Sequence, residues 1–223
     1  MEDFTFEDGE VEIEVLSNDN NNDNNNDNRY SSKSYPTEST ANYQRPIRKP
    51  FVPPEEPVKI IYTDGGSKDF KMPDGTIHRV GAWSFYDSTS NEIRGKAEDG
   101  GTNNQMELMA VLQALNYLDE LGVAKDKWVK ISLDSGYVYK GILFWVKKWI
   151  TNGWKRYDKD GQLQEVANRD LWEQIYGLAI QRKIFWNQVP GHSGVEGNEK
   201  ADIKCTQCIQ EFAQEHNLIN NKL

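Results

Sequence analysis

The sequence predicts one α/β domain built on a five-stranded mixed sheet covered by helices. Three observations predict it. The runs "VKIIYTD" (58–64), "VGAWSFYD" (80–87) and "EIRGKAED" (92–99) are short, strand-like and separated by turn residues, which suits an antiparallel meander. Leu108, Val111, Leu112, Leu115 and Leu118 recur on one face of a helix from about 104 to 121, stopped by Gly122. "WVKISLD" (128–134) then reads as a fourth strand, and a strand, a long helix and another strand imply a right-handed crossover that sets the fourth strand parallel to an earlier one. Helical segments follow around 136–152 and 169–181, with a fifth strand at "KIFWNQV" and a last helix from about 195 to 216.

The 223 residues have room for one such domain and a tail, with a core large enough to stand without covalent staples. The formal net charge of −9 is unevenly spread. Residues 1–28 hold ten acids and no base, whereas residues 29–223 hold 25 acids against 26 bases, so the acidity that would repel a polyanion belongs to an appendage. "SNDNNNDNNNDN" and the Ser/Tyr/Pro-rich stretch through "RPIRKPFVPPEEP" cannot bury enough surface to offset the entropy of ordering. Residues 1–57 are therefore expected to be a disordered acidic, Asn-rich extension and linker, 58–216 the folded domain and 217–223 a C-terminal tail. Within the extension, Val11, Ile13 and Val15 of "VEIEVL" share one strand face; the segment is either an unstructured acidic tail or a strand that docks on a protein partner's sheet edge.

The start "MEDFTFEDGE" has neither a basic leader nor an apolar run, and 18 consecutive apolar residues occur nowhere. An intracellular, non-secreted protein is expected, with cytoplasm and nucleus not distinguished. Cys205 and Cys208 form a single Cys-x-x-Cys without a second pair, so they are expected to be packing residues of the last helix rather than zinc ligands.

Two strands end on aspartates, Asp64 and Asp134, and the carboxyl ends of parallel strands are where open α/β sheets bind ligands. On neighbouring strands the pair would face each other across about 5 Å and repel unless a cation lay between. Glu107, expected in the first turn of the intervening helix, returns towards the same sheet end, where a helix N-terminus favours negative charge. Three converging carboxylates make a hard, oxygen-lined site suited to Mg²⁺, although each one singly reads as a cap or a solvated charge. The glycines of "DGGS" remove side chains where a backbone must come close to something such as a phosphate, or simply form a turn.

"YTDGGS", "GTNNQMELMAVLQAL", "LDSGYVYKGI", "DLWEQI" and "VPGHSGVEGNEKAD", in this order and spacing, resemble the type 1 ribonuclease H (RNase HI) family over about residues 58–207. The resemblance implies a ribonuclease H-like fold whose first three strands are antiparallel and whose fourth and fifth run parallel to the first. It implies a catalytic domain that hydrolyses the RNA strand of RNA/DNA hybrids, leaving 5′-phosphate and 3′-hydroxyl ends. It carries four metal-binding carboxylates onto Asp64, Glu107, Asp134 and Asp202, holding two Mg²⁺ ions for which Mn²⁺ is a substitute, and makes His192 of "PGHSG" an aid to proton transfer and product departure. A catalytically silent hybrid-binding module and an integrase-like nuclease on the same fold are the alternatives.

Hybrid specificity is expected from shape and the 2′-hydroxyl. The resemblance assigns Asn103 and Asn104 to the minor groove and Thr102 to a phosphate of the DNA strand, with helix capping the other use for "TNN"; Gly65, Gly66 and Ser67 are expected at the substrate's backbone on the close-approach reading of "DGGS". Lys147, Lys148, Trp154 and Lys155 match the family's basic protrusion on the DNA strand, with Trp145 and Trp149 expected to pack one helix on another. "ITN" at 150–152 replaces the consecutive bases of more basic versions, so weak, salt-sensitive binding by a monomer is expected.

Overall fold

The computed structural model describes residues 53–218. The acidic extension with its "VEIEVL" segment, and the last five residues, lie outside them. A hairpin-linked meander comes first: β1 (Lys59–Lys71), β2 (Ile77–Asp87) and β3 (Glu92–Asp99). The helix α1 (Asn103–Glu120) crosses to β4 (Trp128–Leu133). A helical stretch follows as α2 (Gly136–Lys140), a π turn (Gly141–Trp145) and α3 (Val146–Thr151). The small hairpin β5 (Lys155–Tyr157) and β6 (Leu163–Glu165) leads to α4 (Arg169–Ala179), β7 (Lys183–Gln188) and α5 (Glu196–Glu215).

The main sheet has the order β3-β2-β1-β4-β7. β1 is antiparallel to β2 and parallel to β4, which is in turn parallel to β7, so the mixed five-stranded topology and the crossover through α1 agree with the sequence, and a second crossover joins β4 to β7. One expectation is corrected. β1 does not stop at Asp64: it runs on to Lys71, paired residue by residue with β2, and only its parallel pairing with β4 ends, at Thr63 opposite Leu133. The longer partner β2 supplies hydrogen bonds beyond the end of β4, so the chain has no reason to turn.

A large core between the sheet and α1 and α4 contains Ile61, Leu108, Leu115, Ile131 and Trp172, each essentially inaccessible. A second cluster under α5 contains Val80, Ala82, Cys205, Cys208 and Ile209, which makes both cysteines packing residues with free thiols. The π turn is packed equally tightly, since a Cβ on Gly141 would stand 2.1 Å from the Trp172 ring. No helix among the described residues is long and apolar enough to cross a membrane.

Candidate active site

Asp64 and Asp134 each follow the last parallel residue pair, Thr63 and Leu133, so the sheet delivers both carboxylates side by side where β4 stops. Glu107 comes from α1, in its second turn rather than its first: the helix begins at Asn103, and no acid occupies its first turn. What seats Glu107 is Gly65. A Cβ there would lie 2.2 Å from both the Glu107 backbone nitrogen and the Met106 carbonyl carbon, so only glycine lets α1 come this close to β1. The close approach that "DGG" signals is thus made by the protein's own helix.

Ligand oxygens of Asp64, Glu107 and Asp134 all lie within 4.8 Å of one another. Burial, then the charges of Asp134 and Asp202, push the Asp64 carboxyl up to about 6, although a Cys205 hydrogen bond and His192 oppose the rise. Glu107 is driven well above the usual carboxylate range by burial and by Asp64 and Asp134. Its Oε2 is buried without a hydrogen-bond partner. Three crowded carboxylates, one with an orphaned buried oxygen, fit a hard divalent cation, which would satisfy the oxygen and cancel the repulsion.

Asp202, on α5, lines the same cleft of about 510 Å³ as the other three acids, with Ser67, Asn103 and His192. Its nearer grouping is with His192 and Glu199, whose ligand atoms also lie mutually within 4.8 Å. The His192 Nδ1 is 3.5 Å from Asp202 Oδ2, and the imidazole is 82% exposed. His192 has a left-handed backbone (φ 50°), and the Glu199 Oε1 accepts from the Gly194 nitrogen at 3.2 Å, tethering the far side of the loop.

Two residues of this site escaped the sequence reading. Glu199 is one. The other is Asn198, only 2% exposed, whose Nδ2 donates to Asp134 Oδ2 at 3.2 Å and holds that carboxylate in place. The "GNEKAD" run contains both, and i to i+4 spacing from Asp202 was the signal that could have found Asn198.

The residues expected to touch substrate divide over two clefts. Thr102 caps α1 in a reciprocal box with Gln105, so the capping alternative is realised. Asn103 faces the carboxylate cleft, where its Oδ1 accepts from the Ser67 nitrogen at 2.7 Å and the Ser67 hydroxyl at 2.8 Å. Thr102 and Asn104 instead line a second cleft of about 660 Å³, opposite Tyr137, Trp145, Trp149 and Arg156. The cap of α1 is therefore the wall between them. Trp145 and Trp149 pack as expected, on one another (5.7 Å) and Trp149 on Trp172 (5.5 Å), and each also borders the cleft. Trp154 is different. It is buried, with only 7% exposed, in the core cluster, and Val166 bonds to its carbonyl. Burial sets it apart from the exposed lysines with which the sequence groups it, and the Arg169 guanidinium lies 5.8 Å from its ring centre. Lys147, Lys148 and Lys155 are exposed on α3 and β5.

A family model described as RNase H matches residues 56–210. A ribonuclease HI of Caulobacter vibrioides is 39% identical over 155 residues, covering 70% of this chain and 95% of that protein. A ribonuclease H of Francisella philomiragia is 40% identical over 154 residues, 69% of this chain and 91% of that one. Among solved structures, a type 1 RNase H with the type 2 active-site motif superimposes with a TM-score of 0.51 at 21% identity, over 70% of this chain and 75% of that one. A foamy viral protease-reverse transcriptase in complex with RNA/DNA hybrid gives 0.55 at 18% identity, over 83% of this chain and 24% of that one, which supports the fold.

Proposed function

The chain belongs to the RNase H family, and from that premise we propose that its residues 58–216 form a catalytic domain that hydrolyses the RNA strand of RNA/DNA hybrids by two-metal-ion catalysis. The observation that carries the mechanism is the meeting of Asp64, Glu107 and Asp134 within 4.8 Å at one end of the sheet, with Asp202 in the same cleft. These four carboxylates would hold two Mg²⁺ ions, with Mn²⁺ as a substitute. When bound, the ions supply an activated water and neutralise charge at the scissile phosphate, giving 5′-phosphate and 3′-hydroxyl ends.

The chain's own residues do the rest. Asn198 fixes the rotamer of Asp134, and Gly65 fixes the distance between Asp64 and Glu107. His192 stands in the open loop above Asp202, where its imidazole can carry a proton between the reacting phosphate and solvent. Asn103 and Asn104, the first two residues of α1, line one cleft each and suit a duplex whose RNA strand crosses the carboxylates while its DNA strand lies along Trp145, Trp149 and Arg156. Short amides both donate to and accept from a 2′-hydroxyl. Lys147, Lys148 and Lys155 add charge for the DNA backbone, as a single copy of the chain would present it.

The test is incubation of the protein with labelled RNA/DNA, RNA/RNA and DNA/DNA duplexes, with Mg²⁺ or with chelator. Cleavage confined to the RNA of the hybrid is expected. Cutting of DNA/DNA would point to the integrase-like alternative, and binding without any cleavage to the silent module.

A further inference from the structure

Resting on that reading of the cleft, we propose that Lys68 is a binding residue for the RNA strand, contacting a phosphate that flanks the scissile one. Side chains of a strand alternate between faces, so Asp64, Gly66 and Lys68 share the face of β1 that α5 covers. Lys68 stands about 13 Å along the strand from Asp64 at the usual rise per residue, and its flexible stem lets the ammonium reach back. It lines the same cleft as the four acids, where the only other basic side chain is His192.

Three features keep that ammonium available. Among the described residues its Nζ makes no ion pair and lies 5.5 Å from the centre of the Phe70 ring, while the neighbouring basic side chains are already engaged. Arg79 holds Asp69 in two bonds of 2.6 and 2.8 Å, and His78 Nε2 lies 2.9 Å from Asp99. The wall opposite offers the hydroxyl of Thr206 and the amide of Gln210, both exposed and uncharged, rather than a carboxylate. The floor between the acids and Lys68 is kept low by Gly66. Packing does not demand glycine there, since a Cβ would meet only Cys205 Sγ at an ordinary 3.7 Å. An open trough leading from a site of four acids to an unpaired ammonium fits a backbone of repeating phosphates.

The experiment uses the full-length protein and its Lys68→Gln and Lys68→Glu variants, with cleavage of a hybrid and fluorescence anisotropy of the same labelled hybrid measured across a salt series. Lys68 is exposed, and circular dichroism of each variant excludes a folding failure. Lys68→Gln should raise KM and Kd several-fold, Lys68→Glu further, and the salt slope of log Kd should shrink by about 0.9, the loss of one phosphate contact. Hybrids carrying one neutral methylphosphonate at successive RNA positions locate the contact. One position flanking the cut should weaken the wild type and leave Lys68→Gln unaffected. If the wild type cuts the hybrid while both variants keep its KM and slope, or if every methylphosphonate costs all three proteins equally, the assignment of Lys68 is overturned and the catalytic reading stands. If the wild type neither binds nor cuts the hybrid, both fall.

Discussion

Replacing Asp64 by asparagine separates what the carboxylate does for chemistry from what it does to the fold. In the metal-free protein its ionisation is opposed first by burial and then by Asp134 and Asp202, which raises the carboxyl from 3.8 to about 6. Because the folded value lies above the unfolded one, the ionised group destabilises the fold. The penalty is complete above about pH 6 and is relieved as pH falls towards 3.8. At about 1.36 kcal/mol per pH unit the interval corresponds to about 3 kcal/mol, or on the order of 2 kcal/mol after the open side of the cleft is screened. Asp64→Asn keeps the shape, removes the charge and should make the metal-free protein more stable at pH 7.5 by that amount, a rise of roughly 4–8 °C in Tm for a domain of this size. The gain should vanish near pH 4, and Mg²⁺ should narrow it by stabilising only the wild type. Cleavage should be abolished. Thermal denaturation of both proteins in chelator from pH 4 to 8 reads the difference directly. A variant less stable than wild type at pH 7.5, or a difference that does not change with pH, would refute the claim that burial and the neighbouring acids oppose this charge.

For His192→Ala a partial loss of turnover is expected, on the order of 10² or less, because an exposed loop imidazole aids proton transfer while the carboxylates define the site; total inactivity of the folded variant in steady-state assays would mean a larger role. Gly65→Ala would push a methyl into the backbone of Met106 and Glu107; we expect a loss of about 1–3 kcal/mol in urea unfolding together with a fall in kcat as Glu107 moves away, and unchanged kcat would show that the close approach is not what seats it. We also propose that the acidic residues 1–28, which carry ten acids and no base, compete with the hybrid for Lys147, Lys148, Lys155 and Arg156 at low salt. Deleting residues 1–50 should then lower KM at low ionic strength more than at high with kcat unchanged, whereas identical curves would leave partner docking by "VEIEVL", or no function, as the surviving readings.

The elements legible in the sequence were those with long apolar periodicity. α1 and the crossover to β4 needed no tertiary information, because each buries an apolar face and says so in its spacing, and the meander followed from strand-like runs separated by turn residues. The β5–β6 hairpin was not legible: its two strands are three residues each and wholly exposed, so nothing alternates. Only the turn "DKDG", with Gly161 at φ 74°, marked it. The same limit applies to the site. Asp64 and Asp134 could be paired from the apolar runs that precede them, although β1 itself runs on; Glu107 falls in the second turn because the Thr102 cap starts α1 at Asn103, and how closely it approaches Asp64 is set by a missing Cβ on another element. Trp154 reads as a surface aromatic among basic residues, yet a left-handed backbone (φ 61°) turns it inward under Val166. Asn198 and Glu199 act on groups that the chain reaches only after folding, Asp134 and the Gly194 backbone.

The central claim, metal-dependent hydrolysis organised by the carboxylates where the parallel pairing of β1 with β4 ends, is tested most directly by the chemistry of the cut ends. RNA labelled in a hybrid would be mapped after single-turnover cleavage by the wild type and by Asp134→Asn, in Mg²⁺ and in chelator, and the 3′ termini identified. The account predicts 3′-hydroxyl ends from the wild type in Mg²⁺ alone and no cleavage in the other three conditions. Cyclic 2′,3′-phosphate ends, or cutting that persists in chelator or in Asp134→Asn, would contradict it.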